Sequence, residues 1–384
     1  MSSPTTPLPF SKRTLRITVG LMFFLAGLCF SSWASRIATI QQEMRLSDAA
    51  LGGILFSLPV GLMLSLPISG WLISIIGSRK LLVISLTLYS ITLLSLGLAQ
   101  NTYLLIFLLF LFGFFSNGVN ISVNTQAIMV EKIYHKPIMA SFHGLWSLAG
   151  FTGALIGSFM IGKGIAPNQH FFIITGLIII MVSLGYKFLK NDGGIPPGQP
   201  IFVKPDKSLM SLGLIAFCSL ICEGAMFDWS VVYFKKVVLA EGAWMGAGFS
   251  AFMGMMAMGR FFADWFSGRF GIKLTLQISG ALTATGLMGA VLFPQLITAI
   301  AGFLLVGVGV SSVIPLVYSA AGRSKVMSPG VALAAVSTIG FMGFLLGPPL
   351  IGLVAGATSL RVSFSLMAFM GICVIVVSSR TKFN

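Results

Sequence analysis

Residues 70–80 read Gly70-Trp-Leu-Ile-Ser-Ile-Ile-Gly77-Ser-Arg79-Lys80. A glycine and a basic pair close an apolar run. The pattern returns as Gly259-Arg260-Phe-Phe-Ala-Asp264-Trp-Phe-Ser-Gly-Arg269-Phe-Gly271-Ile-Lys273. Gly77 maps onto Gly271 and Arg79 onto Lys273, and the same spacing relates Gly52 to Gly246, Gly113 to Gly307 and Gly153 to Gly347. Glycine is abundant, 44 in 384 residues, so a single match means little. One constant offset shared by separate loops and helices describes a chain built twice.

The solvent for such a chain is lipid. It is 56% hydrophobic and 9% charged, with a mean hydropathy of +0.98, where soluble domains carry about 25% charged residues. Twelve apolar runs are long enough to cross a bilayer, which takes about 20 residues. They lie near 14–35, 49–75, 80–99, 103–129, 138–162, 170–189, 209–234, 244–266, 274–293, 296–320, 330–356 and 361–379. The first lacks a small-residue cleavage site and reads as an uncleaved helix. The Gly- and Pro-rich stretch 190–208 reads as a linker. Expected are a six-helix bundle over 1–189, the linker over 190–208 and a second bundle over 209–384.

The net charge of +15 does not point to nucleic acid, because the basic residues sit in short loops between apolar runs. Seventeen of the 24 fall on the side of the N-terminus. Six fall on the other side (Arg36, Arg45, Lys163, Lys235, Lys236 and Arg361), and Arg260 lies within a helix. The positive-inside rule then places both termini in the cytoplasm; a bacterial inner membrane is the expected location. Cys29, Cys218, Cys222 and Cys373 lie inside apolar runs with no metal-ligand spacing. No metal or cofactor is expected. Without a His/Asp metal cluster or a Ser/His/Asp set, an enzyme is not expected either.

The loops quoted above resemble the major facilitator superfamily, over essentially the full length of the chain. Its signature there is G-x-L-x-D-R-x-G-R-[RK]. Gly70, Leu72, Gly77 and Arg79 match, while Ser74 stands in place of the Asp; the second copy keeps Asp264 and Arg269. The resemblance implies an all-α fold of twelve transmembrane helices in two pseudo-repeated bundles, monomeric by family default. It also implies that Asp264, Arg269 and Arg79 latch neighbouring helices on the cytoplasmic side. Trp33-Ala-Ser-Arg36, Phe142-His143-Gly144-Leu-Trp146-Ser147 and Glu223-Gly-Ala-Met-Phe227-Asp228-Trp229 are similar to a subfamily that includes a rhizopine-transport membrane protein and the inner-membrane protein YbjJ. That group is more distantly similar to fucose–proton symporters.

Polar residues inside the runs mark the candidate site. A charge within the bilayer costs roughly 2.5–3.5 kcal/mol on insertion scales and needs a partner, a proton or water. Glu223 and Asp228 share one run although the chain has only nine acids. Their five-residue spacing sets them about 140° apart around a helix, so they have separate jobs. Glu223, at mid-depth, is the candidate proton carrier; Asp228, nearer the outer end, is a candidate gate with Arg36. Asn117, Asn120 and Asn124 fall on one face of the fourth helix. Asn117 and Asn120 offer amides to a polar solute, and Asn124 is read as structural. Trp146, Phe227 and Ser311 are further substrate-contact candidates, and His143 titrates near neutral pH in water. The expected function is transport of a sugar, cyclitol or related metabolite by alternating access with proton coupling. The alternatives are an efflux pump for amphipathic compounds, favoured by 33 phenylalanines, and a transport-inactive receptor.

Overall fold

The computed structural model describes residues 10–134, 138–191, 207–322, 329–381 and 383. Most of the expected linker lies outside these residues, as does the side chain of Asp264. Twelve α-helices follow one another: α1 (Lys12–Glu43), α2 (Asp48–Leu55), α3 (Ser57–Leu96), α4 (Thr102–Tyr134), α5 (Met139–Gly162), α6 (Pro167–Gly185), α7 (Lys207–Lys236), α8 (Ala247–Leu292), α9 (Leu296–Ser311), α10 (Val313–Gly322), α11 (Pro329–Ala357) and α12 (Leu360–Arg380). Helix count and bilayer crossings do not map one to one. The short α2 leads into the first part of α3, and α3 turns sharply at Gly77. The long α8 turns at Gly271, and α9 continues as α10. Among the described residues ten segments are long and apolar enough to cross a bilayer, one of them (Asp48–Leu96) long enough for two crossings; with the first arm of α8 this fits twelve crossings in two bundles of six.

The two turns have the same cause. Gly77 has φ 78° and ψ 159°, and Gly271 has φ 79° and ψ 158°. A side chain would clash in this region of backbone space, so it belongs to glycine. The repeat read from the sequence is thus a repeat of backbone conformation. It is also one of packing. A methyl on Gly113 would overlap the Leu58 carbonyl, and one on Gly307 would overlap the Phe252 carbonyl. Leu58 and Phe252 stand at the same spacing as the two glycines. The α9–α10 break has a different source: Pro315 has no N–H to give the preceding turn, and the helix interrupts at Ser312.

Side chains fasten the helix ends. Ser11, Ser47 and Ser359 accept from the backbone N–H groups of Thr14, Ala50 and Val362. At the end of the molecule that bears the termini, Gln126 of α4 donates to Ser78 Oγ (2.7 Å) and to the Lys190 carbonyl (2.8 Å) and accepts from Lys190 N–H. Within the first half α1 packs on α5, and α3 packs on α4 and α6; within the second, α7 packs on α11, and α8 on α9 and α12. The halves meet through α1 with α7, α2 with α11, and α5 with α8.

α1 is two turns longer than its apolar run. Arg36 therefore lies inside α1 rather than at its end, and it is buried. The polar residues that follow, Gln41 and Gln42, face helix neighbours rather than lipid. α7 likewise runs on to Lys236, so Asp228 and Trp229 are buried in the bundle rather than placed at its boundary.

Candidate functional site

Glu223 sits near the middle of α7, and Arg260 near the middle of the first arm of α8. Arg260 Nη2 lies 3.4 Å from Glu223 Oε1, while Nη1 donates to Ser147 Oγ at 2.6 Å. The guanidinium also lies over the Trp146 ring, 5.9 Å from its centroid. One charge pair thus joins α7 to α8 and reaches α5 in the other half. Opposite charges this close attract far more strongly in a protein interior than in water, which offsets part of the cost of burying them. The arginine side chain keeps 21% of its surface exposed and the glutamate 9%.

α5 is set in place from its first turn. The Glu131 carboxylate, on α4, accepts from the N–H groups of Ile138 and Met139 at 2.7 and 2.8 Å. A carboxylate there satisfies orphan donors and complements the positive helix end. Along α5, Ser147 Oγ donates to the His143 carbonyl at 3.1 Å. His143 is exposed, with its ring edge-on to Phe23 of α1 at 5.3 Å. Tyr318 of α10 is hydrogen-bonded to Ser337 of α11 and lies within electrostatic reach of Glu223.

Phe227 stands on the other side of Trp146. Its ring meets Phe30 of α1 (5.1 Å), Phe252 of α8 (5.7 Å), Trp146 of α5 (6.3 Å) and Phe344 of α11 (6.3 Å), all edge-on or nearly so. Both halves contribute to this aromatic plug. Phe227 is buried within it.

Other candidates lie apart from the charge pair. Asn117 is buried, and its Nδ2 has no hydrogen-bond partner among the described residues. Asn120 is exposed, and Asn124 turns its amide onto the Asn120 carbonyl and Oδ1 at 2.8 and 2.9 Å. The three amides share a face, but only Asn117 is enclosed. Ser311 donates to the carbonyl of Val308 (2.7 Å) and packs behind Gly259, the residue before Arg260.

Arg36 does not meet Asp228. Its Nε donates to His170 Nδ1 (3.2 Å) and its Nη2 to the Ile165 carbonyl (2.8 Å), both in the first half. The reason is its place on α1, on the side that packs against α6. Asp228 is buried and makes no ion pair with a described residue. The bonds across the halves near the distal end, opposite the termini, use other residues. Lys236 Nζ meets Asp48 Oδ1 at 2.6 Å and Lys235 donates to Gln42, while Gln41, in the same half as Asp48, donates to that same oxygen at 2.7 Å. At the other end Ser74 spends its hydroxyl on the Trp71 carbonyl of its own helix. Arg79 donates to the Tyr186 carbonyl (3.1 Å) and lies over the Tyr186 ring (4.2 Å) just past the end of α6. Arg269 is exposed.

Arg260 and Lys235–Lys236 are the residues that sequence reasoning left without a role. A signal for the first was present: an arginine inside an apolar run needs a counter-charge at the same depth, and Glu223 is the mid-depth acid.

A family model described as Major Facilitator Superfamily matches residues 19–326. An uncharacterized MFS-type transporter of Yersinia pestis is 32% identical over 355 residues, covering 92% of each chain. The membrane protein MosC of Rhizobium meliloti is 28% identical over 363 residues, covering 94% of this chain and 89% of its own. Among solved structures, the nucleoside transporter NupG superposes with a TM-score of 0.74 at 14% identity, over 96% of this chain and 100% of that one. A bacterial homolog of the human lysosomal transporter Spinster, inward-facing and occupied, gives 0.72 at 16% identity over 98% of both.

Proposed function

Because the chain belongs to the Major Facilitator Superfamily, we propose that this multi-pass membrane transporter moves a small polar organic solute by alternating access and couples it to protons through Glu223. Sugars, cyclitols and related metabolites are the first class to test. The observation that carries the reading is the Glu223–Arg260 pair, near the middle of α7 and of the first arm of α8 and joined to the other half through Ser147 and Trp146. Mid-depth, between two repeats, is where a solute is reached from either side in turn. Ionised Glu223 neutralises Arg260. A proton on Glu223 cancels that attraction and leaves the guanidinium for another partner, so proton and solute affect each other's binding at one place. His143, exposed a turn from Ser147, is a second candidate to carry the proton. Asp228, buried next to Phe227, is a third candidate for the proton. Asn117 and Asn120, on a face of α4 apart from the pair, are further candidates for contact with the solute.

The chain is placed in the inner membrane with both termini cytoplasmic, on the excess of basic residues in the loops at that end, and is read as a monomer in lipid. Glu223→Gln in proteoliposomes tests the coupling. Proton-gradient-driven uptake is expected to vanish while solute exchange without a gradient survives. Equal loss of both activities, or retained gradient-driven accumulation, would overturn the role of Glu223.

A further inference from the structure

Arg260 has more to offer than its protein partners take. A guanidinium carries five N–H donors in a planar fork. Here one reaches Ser147 Oγ at 2.6 Å and one reaches a single Glu223 oxygen at 3.4 Å. The contact with Glu223 is one-pronged and long, whereas a full arginine–carboxylate pair is two-pronged with N···O near about 2.7–2.9 Å. No other carboxylate forms an ion pair with Arg260 among the described residues. The open member of the pair is the arginine, with 21% of its side chain exposed against 9% for the glutamate. Trp146 covers the guanidinium at 5.9 Å. None of the Arg260 nitrogens is among the buried polar atoms left without a partner, so its remaining donors are open to a ligand, and an arginine fork matches an acid group in shape and charge.

We propose that the transported solute carries an anionic acid group, a carboxylate in the first instance, which docks on the free edge of the Arg260 guanidinium beside Trp146. This rests on the transporter reading above and narrows it from polar solutes in general to organic acids, sugar acids among them. Glu223 then has a second part: when ionised it competes with the solute's anion for the same guanidinium. Binding of the acid and neutralisation of Glu223 favour each other.

The test uses the purified full-length protein and matched probes that differ only in the acid group: D-gluconate against D-glucitol, D-glucuronate against D-glucose, and lactate against 1,2-propanediol. Affinity is read by thermal shift and tryptophan fluorescence. At least one acid is expected to bind the wild type while its neutral partner does not. R260Q should weaken that acid at least about tenfold, equivalent to about 1.4 kcal/mol, and R260K should restore part of the loss because it returns charge without the fork. E223Q should tighten acid binding several-fold by removing the competing anion. Neutral probes that bind as well as their acids, or an acid that binds R260Q as tightly as wild type, would overturn the proposal and leave the polar-solute reading standing. If R260Q does not purify as a monodisperse species, E223Q decides: unchanged or weaker acid binding overturns the idea. If no acid binds the wild type, the anionic assignment falls, and if the neutral polyols also fail, the sugar-like reading falls with it.

Discussion

Arg36 shows how much the partner of a buried charge decides. Its Nε–H points at His170 Nδ1, so the proton of a neutral His170 ring sits on Nε2, which has no acceptor among the described residues. Its Nη2 satisfies the Ile165 carbonyl in the α5–α6 connection. The residue pins α1 to α6 within one half. Arg36→Met should therefore lower the melting temperature in detergent by several degrees, since leaving such buried groups unmet costs about 1–3 kcal/mol. The reciprocal swap of Arg36→Asp with Asp228→Arg is expected not to restore transport lost in Arg36→Asp alone. Recovery in liposomes would return the two residues to a common gate.

At the scale of the element, the informative features are two glycines and the charge they indirectly place. Gly77 and Gly271 turn the chain between consecutive crossings with matching φ and ψ. Gly77→Ala and Gly271→Ala should each cost about 1–3 kcal/mol, the range for a residue forced into such backbone, read as a drop in thermal stability. The penalties should be similar, because the geometry is. A loss at only one site would mean the two turns do not carry equal strain. Gly271 also ends the arm of α8 that holds Arg260, so its variant should weaken solute binding as well as stability.

At the scale of the whole molecule, side chains and backbone bridge the two halves at the distal end. Lys236 bridges to Asp48, which also takes a bond from Gln41, and Lys235 reaches Gln42. Below them α2 lies backbone to backbone on α11, where a methyl on Gly52 would come within 2.7 Å of the Pro348 carbonyl. The Lys236–Asp48 pair is partly in water, with 39% and 17% of the two side chains exposed. Exposed pairs are worth about 0.2–1 kcal/mol, so Lys236→Ala should shift the balance between the two open states a few-fold, no more. Gly52→Val should shift it much further toward the distal-open state, because overlap with backbone has no cheap relief. Spin-label distances across the distal ends of α2 and α11 read both. A larger effect from Lys236→Ala than from Gly52→Val would show that charge, not packing, closes this end.

Hydrophobic run lengths, the offset between Gly77 and Gly271 and the mid-helix acids of α7 lay in the amino-acid sequence by itself. Crossing a bilayer and turning through positive φ are local demands, met by neighbours in the chain. They were enough to determine the crossings and their arrangement in two repeated bundles. Partners were a different matter. Arg260 is 37 residues from Glu223, and Lys236 is 188 residues from Asp48. Which of these charges meet depends on how each helix is rotated and how closely its neighbours approach. The glycine contacts and the extra turns at the ends of α1 and α7 set both. Tertiary structure therefore turned Arg36 toward His170, left Asp228 without an ion pair among the described residues and closed the Glu223–Arg260 contact that an arginine inside an apolar run had only signalled.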